Sequence, residues 1–344
     1  MGISYGMNIG DKAFLIGNGI NRAISNGVNS WEDLLGNLSK SFSVDVDLTN
    51  EFKPFPLAFE EILFKSGGNF DLTLKTIKEK ISESFKTTPD NELHRLVVHS
   101  GIENILTTNY DYAFERAIIP GFENKKGESP RSTDETLNSI KRRSRIKEPK
   151  LNNGYRPDEI SIWHIHGEIN QRLYPSEQEK TSAANSIMIG YEHYGVYLGE
   201  IQKYIKGDKG NNDKSIIEKA KDLNYKPISW IDFFFMGELH IVGLSFDFSE
   251  NHLWWLLNYR AKEIRKGNLK SERLSKIYYY YHLTSDIFPD DPKAYFQVLL
   301  KRKMNKAKLD LLESLNVDIC PITIKMNDYE DYYRQVFNKV LKVN

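Results

Sequence analysis

The residues of this chain best suited to chemistry stand where short apolar runs end. Ile105-Leu106 leads into Thr107-Thr108-Asn109-Tyr110-Asp111. Such a polar cluster at a strand end is costly unless its hydrogen bonds are used. It reads either as part of a site or as a helix N-cap supplied by Asn109 or Asp111. Trp163-His164-Ile165-His166-Gly167 places two imidazoles at strand spacing, so they face opposite sides of a sheet and only one can enter a given crevice. His166, nearest the strand end and beside glycine, is the better placed. The pair suggests a metal, but the alternation opposes a shared ion and no cysteine stands nearby, so no metal is expected.

Two glycine clusters complete the set. Gly17-Asn18-Gly19-Ile20-Asn21 follows Ala13–Ile16, and Gly243-Leu244-Ser245 follows Leu239–Val242. Glycine after a strand lets the backbone bend sharply and approach a pyrophosphate, while the next helix N-terminus offers N–H groups to the anion. The third glycine of the usual fingerprint is missing, and an ordinary strand-to-helix turn is the alternative at both places. Ser245 suits a phosphate or a ribose hydroxyl.

The elements that must hold these clusters follow from periodicity. Ala13–Ile16, Ile102–Leu106, Ile160–Ile165, Leu239–Val242, Lys276–Tyr281 and Val317–Ile322 read as strands, with Ser186–Ile189 as a further short one. Trp31, Leu34, Leu35 and Leu38 have helical spacing behind an N-cap at Asn29 or Ser30. Residues 50–100 read as mostly helical, 112–119 as a helix stopped by Pro120-Gly121, and the C-terminus as a helix carrying Tyr332, Tyr333, Val336 and Val340. Alternating strands and helices predict an α/β, Rossmann-like domain over 1–344, its mostly parallel sheet flanked by helices. Residues 41–100 and 191–235 form helical insertions. Residues 121–158 are a polar, exposed insertion whose basic run, Lys141 to Arg145, reads as a solvated face. The aromatic stretches 231–236, Trp254-Trp255 and 278–281 read as core. In such sheets ligands bind beyond the carboxyl ends of the strands, so the clusters at Gly17, Thr107, His166 and Gly243 are expected to share one crevice.

Composition narrows the classes. Lys and Arg number 47 and Asp and Glu 47, so net charge gives no support for binding nucleic acid or a membrane surface. The only cysteine, Cys320, allows neither an internal disulfide nor a cysteine zinc site. No apolar run approaches the ~20 residues that span a bilayer, and Met1–Lys12 shows no signal-peptide pattern. Cytoplasmic residence is expected.

Taken in order, the clusters resemble the sirtuin-like NAD⁺-binding family over about residues 13–253. Gly17-Asn18-Gly19-Ile20-Asn21 is similar to its Gly-Ala-Gly-x-Ser, Thr107-Thr108-Asn109-Tyr110-Asp111 to its Thr-x-Asn-x-Asp, Ile165-His166-Gly167 to its Leu-His-Gly, and Gly243-Leu244-Ser245 to its later Gly-x-Ser. Asn18 and Asn21 depart from the usual Ala and Ser. The nearest resemblance is to bacterial anti-phage effectors of the Thoeris type and to sirtuin-like partners of HerA-type ATPases or short Argonautes. It implies an NADase of abortive infection that uses NAD⁺ as substrate without zinc. It assigns Asn109 and His166 to catalysis. Gly17, Asn18, Gly19, Asn21, Thr107, Thr108, Gly243 and Ser245 fall to phosphates and riboses, and Asp111 either to the nicotinamide amide or to ordering the loop. An NAD⁺-depleting enzyme must be silent at rest, so a homo-oligomer or a separate activator is expected, whether an ATPase, an Argonaute-like protein or a nucleotide signal. The rival readings are a protein deacylase or ADP-ribosyltransferase, a nucleotide-sensing subunit without turnover, and a plain structural domain.

Overall fold

The structure is a computed structural model that describes residues 12–24, 30–48, 53–119, 140, 144–146, 159–169, 187–208, 210, 213–269, 274–284, 292–325 and 327–341. Seven strands form one sheet: β1 (Lys12–Ile16), β2 (Asn104–Thr107), β3 (Ser144–Ile146), β4 (Ile160–His164), β5 (Glu238–Val242), β6 (Lys276–Thr284) and β7 (Asp318–Ile324). They lie in the order β3-β4-β2-β1-β5-β6-β7. Every pairing is parallel except that of β3 with β4. The six parallel strands taken alone have the doubly wound order, which reverses between β1 and β5 and opens a crevice at their carboxyl ends.

The strands are apolar because the sheet is covered on both faces. Ala13–Ile16 are all fully buried. On one face Leu15, Leu106, Trp163 and Ile241 pack with Phe233, Phe234, Leu253 and Leu257. On the other, Phe14, Ile105, Ile162 and Val242 pack with Val97, Phe114, Val336 and Phe337. The helix Asn251–Arg265 belongs to the first layer, and the C-terminal helix Tyr329–Leu341 to the second.

A third core lies beside the strand ends. Helices Trp31–Ser41, Phe55–Lys65 and Phe70–Phe85 close around Leu35, Phe59, Ile62 and Ile81, and this core takes in Tyr110, Ile187 and Ile189. The first of these helices starts at Ser30, whose side chain accepts from Asp33 N–H while the Asp33 carboxylate accepts from Ser30 N–H, a reciprocal cap. A helical module therefore stands over the crevice.

The structure differs from the sequence reading in two places. Residues 187–189 form no strand; Ile187 and Ile189 serve the helical module, Met188 joins the core on one sheet face, and the Met188 N–H donates to His166 O. Within the polar segment 121–158, the described residues include a strand, Ser144–Ile146, with Ile140 and Ile146 buried. The remainder of that segment lies outside the described residues. Among the described residues no helix is long and apolar enough to cross a membrane.

Candidate functional site

A cavity of about 630 Å³ opens at the carboxyl ends of the strands, a volume typical of small-molecule sites, which run roughly 300–1,000 Å³. Asn18 and Gly19 reach it from the end of β1, Thr108 to Asp111 from β2, His166 from β4, Gly243 to Ser245 from β5, and Tyr279 to His282 from β6. The sequence-expected residues Asn18, Gly19, Thr108, Asn109, Asp111, His166, Gly243 and Ser245 thus share one wall system. Gly17, Asn21 and Thr107 stand behind it.

The glycines are there for a close approach of two strands. The N–H of Gly17 donates to Val242 O at 3.2 Å and that of Gly19 to Gly243 O at 3.3 Å. A Cβ on Gly17 would lie 2.5 Å from the Gly243 carbonyl oxygen. Gly243 has φ +63, and the space its Cβ would need is filled by the Tyr333 hydroxyl. The helix after the first turn, Gly19–Arg22, is a single turn. The cations at the cavity wall are Arg22 and Lys308. The Lys308 ammonium donates to Ser245 O at 2.7 Å, and burial lowers its pKa against the pull of Asp247.

Behind the wall a hydrogen-bonded relay ties the first glycine cluster to the second polar cluster. Asn91 N–H donates to His94 Nδ1, so Nε2 carries the proton and donates to Asn21 Oδ1 at 3.0 Å. The Asn21 amide then donates to Asp111 Oδ2 at 2.8 Å, while Asp111 Oδ1 accepts from Ala113 N–H. Burial holds the His94 pKa down at about 3 and raises that of Asp111, the Ala113 and Asn21 donors opposing the latter. Asp111 thus ties the loop to Asn21 and Ala113 while it also lines the cavity. Thr107 Oγ1 donates to Ile16 O and accepts from Asn109 N–H, pinning the β2 end to β1.

His164 and His166 do face opposite ways. His164 Nε2 lies 2.9 Å from Glu115 Oε1, and Nδ1 lies 3.0 Å from the carbonyl of Asn109. Burial, the largest single influence, lowers its pKa, but the charge and hydrogen bond of Glu115, the Glu168 charge and the Asn109 carbonyl together raise it. That pair fixes the backbone of Asn109 from behind. His166 instead turns to Glu250, with Nε2 3.1 Å from Oε2 but not aligned as a hydrogen bond. Burial works to raise the Glu250 carboxyl, yet the neighbouring His166 and His252 hold it below the usual range.

Asn109 is the unusual residue. It is 6% exposed, and both its Oδ1 and Nδ2 are buried without a hydrogen-bond partner among the described residues. Buried amides are nearly always satisfied. On this cavity wall the amide keeps its acceptor and its donor hydrogens uncommitted among the described residues.

Glu250, His252, Lys308 and Tyr333 are site residues that the sequence reading did not single out. Glu250-Asn251-His252 begins a helix some 80 positions after His166 in the sequence, and only the sheet order brings them together.

The family described as SIR2-like domain matches residues 103–214, which include the Thr107–Asp111 and His164–Gly167 clusters. That stretch is similar to the family, and the match points to NAD-related chemistry without defining the reaction. No curated protein matches the chain.

Proposed function

We propose that the chain hydrolyses the bond between nicotinamide and ribose in NAD⁺. The observation that carries this reading is the pairing, on one cavity wall, of the unsatisfied Asn109 amide with the His166 imidazole. Nicotinamide leaves NAD⁺ as a neutral ring that keeps the electron pair of the broken C1′–N bond, so no general acid is needed. The protein has to place the substrate, stabilise an oxocarbenium-like ribose and direct a water. Water oxygen bonds to C1′, and its proton passes to His166. The Asn109 amide, with one acceptor and two donor hydrogens, holds that water or a ribose hydroxyl. Arg22 and Lys308 supply the positive charge for the pyrophosphate at the strand-order reversal. That the Gly17 and Gly19 amides are already donated to β5 supports giving the phosphates to these cations.

The resemblance to anti-phage effectors extends the proposal to defence by NAD⁺ depletion, with a separate partner or self-assembly as the control. Deacylation is disfavoured because Cys320 alone cannot supply the four-cysteine zinc module of the classical deacylases. The test is chromatographic: NAD⁺ loss and release of nicotinamide and ADP-ribose by the wild-type chain, Asn109→Ala and His166→Ala, with an acetylated peptide in a parallel arm. We expect turnover to fall at least 100-fold in both variants and peptide to remain acetylated. Equal NAD⁺ loss in all three chains refutes the assignment. Binding without turnover in the wild type, with and without neighbouring gene products, selects the sensing subunit instead.

A further inference from the structure

At the floor of the cavity, three side chains bring together buried polar atoms without a hydrogen bond among the described residues, His166 Nε2 and Glu250 Oε2 facing each other at 3.1 Å. His252 is 0% exposed, and neither of its ring nitrogens has a hydrogen-bond partner among the described residues. His166 Nε2 and Glu250 Oε2 are likewise buried and without a hydrogen bond. One donor atom from each of the three lies within 4.8 Å of the others. His166 and Glu250 line the cavity, whereas His252 stands behind them. Its ring is stacked on Tyr194 at 5.4 Å and edged by Tyr197 and Trp230 at 5.9 and 6.2 Å. An imidazole in an aromatic cage with both nitrogens idle is not there for packing, because phenylalanine would fill that space without the cost of burying polar atoms.

We infer that His166, Glu250 and His252 form a site for a divalent transition-metal ion, entered from the cavity. Two imidazoles and a carboxylate, without thiolate, suit Zn²⁺, Co²⁺, Ni²⁺ or Fe²⁺, and not Mg²⁺ or Ca²⁺, which take oxygen ligands. Three protein ligands leave a fourth position facing the cavity. Tetrahedral donors around an ion bonded at ~2.1 Å lie ~3.4 Å apart; His166 and Glu250 already meet at 3.1 Å, so His252 has to draw in. The low-dielectric aromatic shell strengthens the ion's hold on its ligands. An ion held by His166 Nε2 competes with the proton that this imidazole takes in the proposed hydrolysis. On that reading, and only there, loading silences turnover.

The test uses the full-length, untagged chain with Cys320→Ser to remove the one thiol. The protein is equilibrated with Zn²⁺, Co²⁺ or Mg²⁺, desalted, and its metal counted by mass spectrometry; the Co²⁺ visible spectrum reports the ligand set. We expect one Zn²⁺ or Co²⁺ per chain, no retained Mg²⁺, and at least a tenfold loss of affinity in His252→Phe and in Glu250→Gln. Near-UV circular dichroism shows that each variant is folded, and Phe is the substitution the aromatic cage accepts most readily. No retained ion in the wild type, or undiminished binding in both variants, overturns the site. The count needs no NAD⁺ turnover, so the metal site and the hydrolase reading fail separately. In the companion assay, Zn²⁺ suppresses NAD⁺ loss at least tenfold and chelation restores it; metal bound with turnover unaffected overturns the silencing.

Discussion

Replacing Asn109 with leucine should make the protein more stable while ending its activity. The two shapes are nearly the same, but leucine has no polar atoms to bury. In the wild type both polar atoms of the amide are buried without partners. Leaving a buried donor or acceptor unsatisfied costs about 1–3 kcal/mol, and replacing it with apolar atoms recovers much of that cost and adds a transfer gain of about 1 kcal/mol. Against this stands the loss of whatever water the amide holds in solution, so a net gain of about 1–3 kcal/mol is the expected outcome. For a chain of this length, unfolding entropy near 2 cal/mol/K per residue converts that gain to a rise of roughly 1–4 °C in Tm. Calorimetry in the absence of nucleotide measures it. A second scan with saturating ADP-ribose should raise the wild-type Tm and leave the variant unmoved, since a ligand stabilises only the state that binds it. A variant less stable than wild type by 1 kcal/mol or more would mean that the amide is a structural bond partner. The argument that Asn109 is held in reserve for substrate would then be lost, whatever happened to activity.

Two further outcomes follow from the groups behind the wall. His94 has its pKa held at about 3 by burial, against about 6.5 in the unfolded chain. Between those values the unfolded state binds more protons, so stability falls as the pH drops; from pH 7 to pH 5 the loss from this one group is about 2 kcal/mol. Urea titrations at the two pH values should show it, and His94→Gln should flatten that part of the slope; an unchanged slope in the variant rules out His94 as its source. Gly243→Ala places a Cβ at φ +63 against the Tyr333 hydroxyl, and the left-handed backbone and the collision together cost about 2–4 kcal/mol. Adding Tyr333→Phe removes the colliding oxygen, so the double variant should regain part of the loss in the same urea assay. If it is as unstable as Gly243→Ala, the collision is not the cause.

The parts of this molecule that could be read in advance are those where one local rule decides. Ala13–Ile16 and, but for His240, Leu239–Val242 are apolar without alternation because both sheet faces are covered, and a short buried run ending in glycine is enough to announce a central strand and its turn. Asn109 and His166 could be found because polar residues at such ends need a reason. What was not legible depends on partners distant along the chain. Ile187–Ile189 looks like a strand by composition, but Ile187 and Ile189 join Tyr110 and Ile62 in the core of the helical module, Met188 joins the core on the sheet, and among the described residues no strand pairs with the segment. Ser144–Ile146 sits in a basic, polar stretch, and only its pairing with β4 makes it a strand. Asn21 and Asp111 look alike in sequence as candidate ligand contacts. The relay from His94 spends the groups of both on each other, a fact carried by a helix 70 residues away from Asn21.

Glu250 and His252 show the same limit from the other side. Each is unremarked in its own segment, because an acidic residue before a helix is an ordinary capping feature and a helix-borne histidine is an ordinary core residue. Their meaning comes from the sheet order, which carries the end of β5 next to β1 and lets the following helix reach across to the end of β4. The crossing places a carboxylate and a second imidazole against His166 at the cavity wall. A protein that needed His166 only as a proton acceptor would be served by the carboxylate alone. The buried, unbonded His252 is the surplus, and it is this surplus, more than any resemblance, that separates a plain hydrolase site from one able to bind an ion.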